Sequence, residues 1–464
     1  MAGSVQIDAA PQADQGWPTC VGPPVPRYAC YPTPDAFQPL DPGTLDAWMM
    51  ALPAGGTVGL YVHVPFCRRL CWWCACRAER PAPGALGSLA ATVMRELALA
   101  VRALPPDTAL ARLHLGGGTP LMLGADRLSA LADAALLALP PTADGEIVVE
   151  AAAFDLDAPA LAAVSALATR LPVSVVLGLG ALGGRDGTTT RREEVAAVEA
   201  LRKAGATGVT VEFLAGLPAD GPMEFEARLA AIVETRPERI VLTPWCHAPD
   251  RSRRQAHRRV APAQPLLAGA QTKIADLLLR THGYLRLGGG TWVKPGDALL
   301  AAAASDRLDW GFDGLSVRVS DRLIGLGPSA ISRLPNGLAQ NPSATALWRR
   351  SVAAGRMTAW RGLPATPERR LAADIVNDLV CRGRVEIDRL VRRHGARASA
   401  LAQPVRRLMQ RAPDGAMVPL AGVTGAPGFM LTCSCLDCAQ RCARMLLPEK
   451  GHDTPKPAGQ DAAH

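Results

Sequence analysis

The stretch Tyr61–Cys76, YVHVPFCRRLCWWCAC, is the part of the chain that decides the fold. It carries a C-x3-C-x2-C pattern with a further cysteine two residues on, at Cys67, Cys71, Cys74 and Cys76. Residues 58–64 are apolar and β-prone with some alternation, which predicts a strand followed by a cysteine-bearing loop. Three thiols this close together suit an iron–sulfur cluster, whereas a structural zinc ion usually takes four ligands as two close pairs. The pattern therefore predicts a cluster with three protein ligands and one open iron.

Composition and charge narrow the class of protein. The chain has 464 residues, so we expect one large unit with an appendage. With 48% apolar and 20% charged residues, its composition is that of an ordinary soluble globular protein. The formal charge of +8 is modest for this length and does not by itself indicate nucleic acid. We therefore expect no nucleic-acid partner.

The same sequence predicts a cytoplasmic location. No uninterrupted apolar run reaches membrane-spanning length, and the first residues, MAGSVQIDAAPQADQGWP, lack the basic region and apolar core of a secretory signal. We expect neither a membrane span nor secretion. Because cytosolic thiols stay reduced, the two clusters among the twelve cysteines are interpreted as metal ligands rather than as a disulfide framework.

Strand and helix patterns alternate after the first residues. Strands are predicted at 58–64, 110–115, 146–150, 173–179, 208–214 and 239–243, and helices near 88–104, 125–139, 157–170, 190–205, 223–236 and 265–282. Six such repeats predict an α/β fold with a parallel sheet, curved into a partial (β/α)6 TIM-like barrel. In a barrel of this kind, functional groups gather where the strands end. The cysteine loop, Gly116–Gly118, Glu150, Glu212 and Trp245–His247 all fall at such ends.

The remaining segments predict the domain organisation. We expect a tail and packed arm over 1–56, the barrel over 57–300, a segment covering the active site over 301–344, a helical C-terminal domain over 345–448 and a disordered tail over 449–464. Within the C-terminal domain, Thr366-Pro367-Glu368 is a typical helix start, with a capping residue and then proline at the first helical position.

The motifs taken together resemble one known family. C-x3-C-x2-C after a first strand resembles the radical SAM superfamily, and YVHVPFCRRLCWWCAC resembles the oxygen-independent coproporphyrinogen III oxidases, including the extra Cys76. RYACYPTPDAF, LHLGGGTPLML, LAGLP, GLGPSAIS and MTAWRGLP recur in that family's order. The resemblance covers about residues 25 to 435.

The resemblance implies a cofactor set and a reaction. Cys67, Cys71 and Cys74 would ligate a [4Fe–4S] cluster whose open iron binds S-adenosylmethionine (SAM), and Cys76 would take a catalytic role. Reductive cleavage of SAM would give a 5′-deoxyadenosyl radical that abstracts hydrogen from a propionate of coproporphyrinogen III. Loss of carbon dioxide would leave a vinyl group, and a second round would give protoporphyrinogen IX. A reduced flavodoxin- or ferredoxin-like protein would supply electrons, and the family suggests a monomer.

The resemblance also implies contacts to the cofactor. The glycine loop would bind SAM through Gly117, Gly118 and Thr119, because glycines allow close approach and are expected to leave amide hydrogens free for a ligand. Glu150 and Arg192 would hold SAM, and Glu212 would reach its ribose, although each is also compatible with a surface charge. The further expected contacts are Tyr61, Trp73, Cys246, Asp313 and Ile331.

Several positions on the substrate side depart from the family. Ala151–Ala153 replaces an acidic strand end, and glutamines are replaced by Gly180 and Asp313. Gly290 and Thr291 stand where the family carries an aspartate–histidine pair. Two alternatives to the oxidase therefore remain. One is a radical SAM haem chaperone, a branch that typically lacks Cys76 and the RYACYPTPDAF arm. The other is a paralogue that acts on another tetrapyrrole or is inactive.

The sequence leaves open the function of two segments, one basic and one rich in cysteine. Residues 251–259, RSRRQAHRR, suit the carboxylates of a tetrapyrrole or form a solvated basic loop. The cysteines of LTCSCLDCAQRC either hold a second cluster or zinc or are ordinary reduced thiols. They are Cys433, Cys435, Cys438 and Cys442.

Overall fold

A computed structural model of the chain describes most of the protein. The described residues are 32, 36–74, 78–180, 190–217, 221–245, 255, 265–311, 314–318, 320–357, 359–412, 416–421, 427–432, 439, 442, 443 and 446. Within them, no helix is both long and apolar enough to cross a membrane.

Six parallel strands in sequence order form the centre of the fold. After the short β1 (Gln38–Pro39), they are β2 (Thr57–Val64), β3 (Ala109–Gly117), β4 (Pro141–Ala152), β5 (Val173–Gly178), β6 (Ala206–Ala215) and β7 (Arg239–Pro244). The helices of this half are α1 (Thr44–Met50), α2 (Ala85–Ala103), α3 (Ala125–Ala138), α4 (Ala158–Ala168), α5 (Arg191–Lys203), α6 (Pro222–Glu234) and α7 (Pro265–Thr281). The predicted strand–helix repeats are confirmed, and so is the α/β class.

Side-chain alternation explains why this sheet has a packed face and a polar face. On β3, for example, Leu113 and Leu115 are buried in the main core with Leu89, Val93 and Leu97 of α2. The intervening residues of the same strand, Arg112 and His114, line a cavity on the opposite face. Because successive strand residues point to opposite faces, the strands pack helices outside and present polar groups inside.

The sheet continues beyond the barrel at both ends and has thirteen strands among the described residues. On one side, β8 (Leu285–Arg286) and β9 (Thr291–Val293) add antiparallel to β7. The helix α8 (Ala298–Ala304) then leads to a separate hairpin, β10 (Leu308–Gly311) and β11 (Gly314–Val317).

On the other side, β2 is not an edge strand. It pairs in parallel with β12 (Leu323–Leu326), and antiparallel strands follow outward. They are β13 (Ile331–Leu334), β14 (Gly337–Gln340), β15 (Arg361–Pro364) and β1. The helix α9 (Thr345–Ala353) lies between β14 and β15 in sequence and packs on α2.

The C-terminal part has its own apolar core. Its helices are α10 (Pro367–Arg382), α11 (Ile387–His394), α12 (Ala396–Ser399) and α13 (Ala402–Arg411), as the helical prediction requires. Thr366 caps α10 by accepting from the backbone N–H of Arg369. The part also contains a small antiparallel sheet of β16 (Arg384–Glu386), β18 (Pro427–Leu431) and β17 (Met417–Ala421), which was not predicted.

Candidate active site

The cysteine loop leaves the end of β2 and is closed at its base by backbone bonds. The N–H of Cys67 donates to the carbonyl of Glu79 at 2.9 Å, and the N–H of Glu79 donates to Pro65 at 2.9 Å. Within the loop, the N–H of Cys74 donates to Cys71 at 3.3 Å, so these two cysteines share one turn. Cys67, Cys71 and Cys74 are partly exposed thiols. The predicted Cys76 lies outside the described residues.

Two arginines of the loop dock it on the turn after β4. Arg68 pairs with Asp157 at 2.5 Å, and Asp157 also caps α4 by accepting from the N–H of Ala160 at 3.0 Å. The guanidinium carbon of Arg69 lies 5.7 Å from the ring centre of Phe154. These contacts join the loop to the third parallel strand, two strands away from the one it leaves.

An aromatic cluster fixes the other end of the loop. Trp73 is buried against Leu217 and Trp245, and the indole N–H of Trp245 donates to the Trp73 carbonyl at 3.3 Å. Gln255 also donates to that carbonyl at 3.0 Å. Trp73 was expected to contact the cofactor, and the structure shows its ring in this apolar cluster. The cluster excludes water from one side of the cysteines.

The glycine loop packs so closely that no side chain fits. A Cβ atom at Gly116 would lie 2.6 Å from Glu150 Oε1, and one at Gly117, where φ is +103°, would lie 2.6 Å from His63. At Gly118 it would overlap the Phe66 carbonyl. The glycines therefore allow three strand ends to meet at one place.

The expectation that the loop's amide hydrogens are free for a ligand is wrong for three positions. The N–H of Gly117 donates to Glu150 Oε2 at 3.1 Å. The N–H groups of Gly118 and Thr119 donate to the carbonyls of Val64 and Phe66, each at 2.7 Å. These bonds hold the loop in shape, so a ligand here would meet side chains and carbonyl groups instead.

A group of polar rings surrounds Glu150. Its Oε1 lies 3.1 Å from His114 Nε2, and Tyr61 lies edge-on to the His114 ring with centroids 5.2 Å apart. The Tyr61 hydroxyl is 3.3 Å from His63 Nδ1. Burial lowers the pKa of His63 to about 4, although the negative charge of Glu150 acts to raise it. His63 is therefore neutral at pH 7. The structure thus brings Tyr61, Gly117 and Glu150 together.

The other predicted contacts are spread around this group. Glu212 Oε1 accepts from the Thr243 hydroxyl at 2.7 Å on the inner face of the barrel. Arg192 is exposed on the first turn of α5, which begins with a capping box between Thr190 and Glu193. Ile331 begins β13 and packs against an apolar cluster containing Phe37. Cys246 and Asp313 lie outside the described residues.

The inner face of the barrel holds a cavity of about 80 Å³ that is lined by polar side chains. This volume is enough for a few water molecules or one short side chain of a ligand. Arg112 on its wall pairs with Glu146 at 2.7 Å, and Arg239 pairs with Asp297 at 2.8 Å. The hairpin residue Trp310 closes one side. Sequence reasoning missed these groups, although Arg112 and His114 on β3 and Glu146 and Glu150 on β4 alternate with apolar residues and could have indicated an inward-facing row.

The substrate-side departures have structural counterparts. Gly290 has φ of +71°, and a Cβ atom there would overlap the Leu242 carbonyl, so an aspartate does not fit this backbone. Thr291 is 2% exposed and lines the cavity.

Gly180 is held by a buried ion pair. Arg228 on α6 donates to the Gly180 carbonyl and to Glu194 on α5, with its Nε 2.8 Å from Glu194 Oε2. Both charged side chains are at most 1% exposed. The pair fixes the end of β5 at the point where the departure from the family occurs, and sequence reasoning did not find it.

The second metal site stays a prediction. Cys433, Cys435 and Cys438 lie outside the described residues, as does the basic segment 251–259 apart from Gln255, while Cys442 is a buried thiol. Across the described part of the chain, no three His, Cys, Asp or Glu side chains converge as the ligands of a single metal ion do.

The cysteine loop nevertheless fits an iron–sulfur cluster. A [4Fe–4S] cluster takes its thiolates on separate irons, so its cysteines need not converge on one point. Cys67, Cys71 and Cys74 supply three thiols on a loop that is anchored at both ends. Beside it stand a carboxylate, Glu150, and the tightly packed glycine loop.

Comparisons with known proteins agree with this arrangement. No protein-family model matches the chain. An oxygen-independent coproporphyrinogen III oxidase from Cereibacter sphaeroides is 34% identical over 373 residues, 78% of this chain and 81% of its own. One from Paracoccus denitrificans is 32% identical over 394 residues, 82% and 85% of the two chains.

A solved structure has the same fold. The Escherichia coli coproporphyrinogen III oxidase, a radical SAM enzyme by its published description, matches with a TM-score of 0.80 at 21% identity. The match covers 90% of this chain and 96% of that one. With the two curated relatives above 30% identity over most of their length, the chain belongs to the family of oxygen-independent coproporphyrinogen III oxidases.

Proposed function

We propose that this enzyme is a radical SAM oxidase that converts coproporphyrinogen III to protoporphyrinogen IX by decarboxylating two propionates. The observation that supports it most is the meeting of the cysteine loop, the glycine loop and Glu150 at adjoining strand ends. The curated relatives carry the name of this reaction.

The cofactor residues have distinct tasks in this proposal. Cys67, Cys71 and Cys74 hold a [4Fe–4S] cluster. Glu150, fixed by His114 and by the Gly117 amide, binds the amino-acid end of SAM. When bound, the cluster and SAM supply a carbon radical able to remove hydrogen from the substrate. The chain itself positions the reacting groups and keeps water and oxygen away.

The remaining predicted contacts complete the cofactor site. Tyr61, Gly118, Thr119 and Ile331 surround SAM, and Glu212 binds its ribose. Trp73, inside its aromatic cluster, supports the loop and limits solvent access. Arg192, Cys246, Asp313 and the catalytic Cys76 keep the roles that the family suggests.

The wider assignments rest on the sequence pattern and on the family together. A reduced flavodoxin- or ferredoxin-like protein donates electrons, the enzyme is a cytoplasmic monomer, and the five segments divide at 57, 301, 345 and 449. A further cluster or zinc at Cys433, Cys435, Cys438 and Cys442 stays part of the proposal.

One reconstitution tests the function. The cluster is rebuilt anaerobically, SAM, reductant and coproporphyrinogen III are added, and methionine and protoporphyrinogen IX are measured. Both products are expected, and a Cys71→Ala variant, matched in every other respect, should give neither. Methionine without the porphyrinogen would reject the substrate while leaving the cofactor chemistry intact.

A paralogue with another tetrapyrrole substrate is the second candidate. The close contact of Gly290 with Leu242 favours it, because this backbone leaves no space for the family's aspartate. Related tetrapyrroles with carboxylate side chains would then be consumed in place of coproporphyrinogen III. Haem binding without SAM cleavage would instead indicate a chaperone.

A further inference from the structure

Asp155 is a buried carboxylate to which the proposed function gives no role. It is 4% exposed and lies in the short turn that follows β4. Its Oδ2 accepts a hydrogen bond from Thr119 Oγ1 at 3.3 Å, and its Oδ1 is buried without a partner among the described residues. A buried polar oxygen left without a donor destabilises the folded protein. Packing alone therefore does not explain an acid at this position.

The nearby arginines are engaged elsewhere. Arg68 pairs with Asp157 at 2.5 Å, and Arg69 lies 5.7 Å from the centre of the Phe154 ring. Their charges act on Asp155 only through space, and burial raises its pKa above the ordinary value in spite of them. The direct hydrogen bond that the structure gives to the carboxylate is the one from Thr119.

That bond decides what Thr119 can bind. A threonine hydroxyl has one proton and two acceptor lone pairs. Because the proton is directed to Asp155, the oxygen offers only lone pairs to any other group. The backbone N–H of Thr119 is also used, by the Phe66 carbonyl at 2.7 Å. Thr119 is therefore an acceptor and not a donor toward a ligand in the glycine loop.

We propose that Asp155 is a positioning residue that keeps the Thr119 hydroxyl as an acceptor for the amino group of the amino-acid end of SAM. The amino group carries N–H donors, whereas the neighbouring carboxylate of SAM carries none. Asp155 itself does not touch the cofactor. This assignment rests on the proposed SAM site and adds to it the residue that sets the direction of one hydrogen bond.

The test measures binding without turnover. Reconstituted protein with an unreduced cluster is titrated with SAM and with the analogue in which hydrogen replaces the α-amino group. Asp155→Ala is expected to weaken SAM binding about tenfold and analogue binding less than twofold. Thr119→Val should do the same, and the double variant should bind SAM no more weakly than Thr119→Val alone, because both changes remove one interaction.

Conservative variants keep the test independent of folding. Asp155→Asn retains an acceptor oxygen and should bind SAM within threefold of the unmodified protein, as should Thr119→Ser. Asp157→Ala is the matched control, since it removes the adjacent carboxylate that anchors the loop and should affect SAM and the analogue equally.

Two results would overturn the role of Asp155. One is an equal loss for SAM and the analogue in Asp155→Ala, and the other is a Thr119→Ser variant as weak as Thr119→Val. Failure of the proposed function looks different, because the unmodified reconstituted protein would then bind no SAM.

Discussion

Glu96 gives the most direct test of how residues outside the proposed SAM site support it. This glutamate of α2 is fully buried, and in the described part of the chain three groups donate hydrogen bonds to it. The donors are the Gly327 N–H at 2.7 Å, the Asn341 side chain at 2.8 Å and the Trp348 indole at 2.9 Å. Gly327 in turn abuts β2, since a Cβ atom there would lie 2.5 Å from the His63 carbonyl. One carboxylate thus joins two helices, two loops and, through Gly327, the strand that leads into the cysteine loop.

The expected loss of stability follows from the hydrogen-bond donors that lose Glu96 as their acceptor. Glu96→Ala leaves three buried donors unpaired, each costing about 1–3 kcal/mol, and water entering the space recovers part of that. We expect a loss of roughly 4 kcal/mol in unfolding free energy. Glu96→Gln keeps the shape and one acceptor oxygen but turns an NH2 group toward a donor, so its expected loss is about 2 kcal/mol.

Urea unfolding of the apoprotein, followed by tryptophan fluorescence, measures both losses. Glu226→Ala on α6 is the control, because Glu226 is exposed and its removal should change stability by less than about 0.5 kcal/mol. The expected order of loss is Glu96→Ala, then Glu96→Gln, then Glu226→Ala. A Glu96→Ala protein within about 1 kcal/mol of the unmodified chain would refute the reasoning.

Three further changes test other parts of the site. Gly118→Ala should abolish iron retention on reconstitution, because the new Cβ would overlap the Phe66 carbonyl and lie 2.8 Å from that of Val64; Gly269→Ala, where nothing lies within 4 Å, should retain full iron content. His63 has a folded-state pKa of about 4, below the ordinary 6.5. Its contribution to the unfolding free energy is therefore fully present above pH 6.5 and is lost as the pH falls toward 4. Unfolding free energy measured at pH 7.5 and 5 should therefore drop by about 1–2 kcal/mol more in the unmodified apoprotein than in His63→Gln, and equal drops would contradict this. Arg228→Ala should cost about 3–5 kcal/mol by removing the buried guanidinium that pairs with Glu194, and the joint change Arg228→Met with Glu194→Leu should restore most of it in thermal unfolding; no recovery in the joint variant would contradict the reasoning.

The barrel could be predicted from the sequence because its signals are local. The parallel strands of the barrel alternate with helices, and the periodicity of apolar residues separates most of them, although α4 is almost entirely apolar. The predicted helices at 125–139 and 265–282 end within one residue of α3 and α7. Gly117 and Glu150 could be placed together because parallel strands end at the same edge of a sheet, whereas Tyr61 was expected only from the resemblance.

What the sequence could not show depends on distant partners. The strands β12 to β15 have four residues each, too short for a pattern, and are defined by pairing with one another and with β2. Glu96 and Glu194 lie on helices, where a glutamate is most often solvated. Only tertiary contacts reveal that these two are buried. The use of the glycine amides also depends on neighbouring strands and could not be seen in GGGTP.

The pairing of β12 with β2 has a consequence for the order in which the protein matures. As the chain leaves the ribosome, β2 and the cysteine loop are synthesised early. The strand β12, which pairs with β2, is synthesised much later. Arg322, just before β12, donates to the Gly55 carbonyl across 267 residues. Until that part is made, β2 presents an open edge that can pair with other chains. Insertion of a cluster during translation would therefore meet an unfinished site, and we expect iron to be acquired only after residue 326 has folded into place.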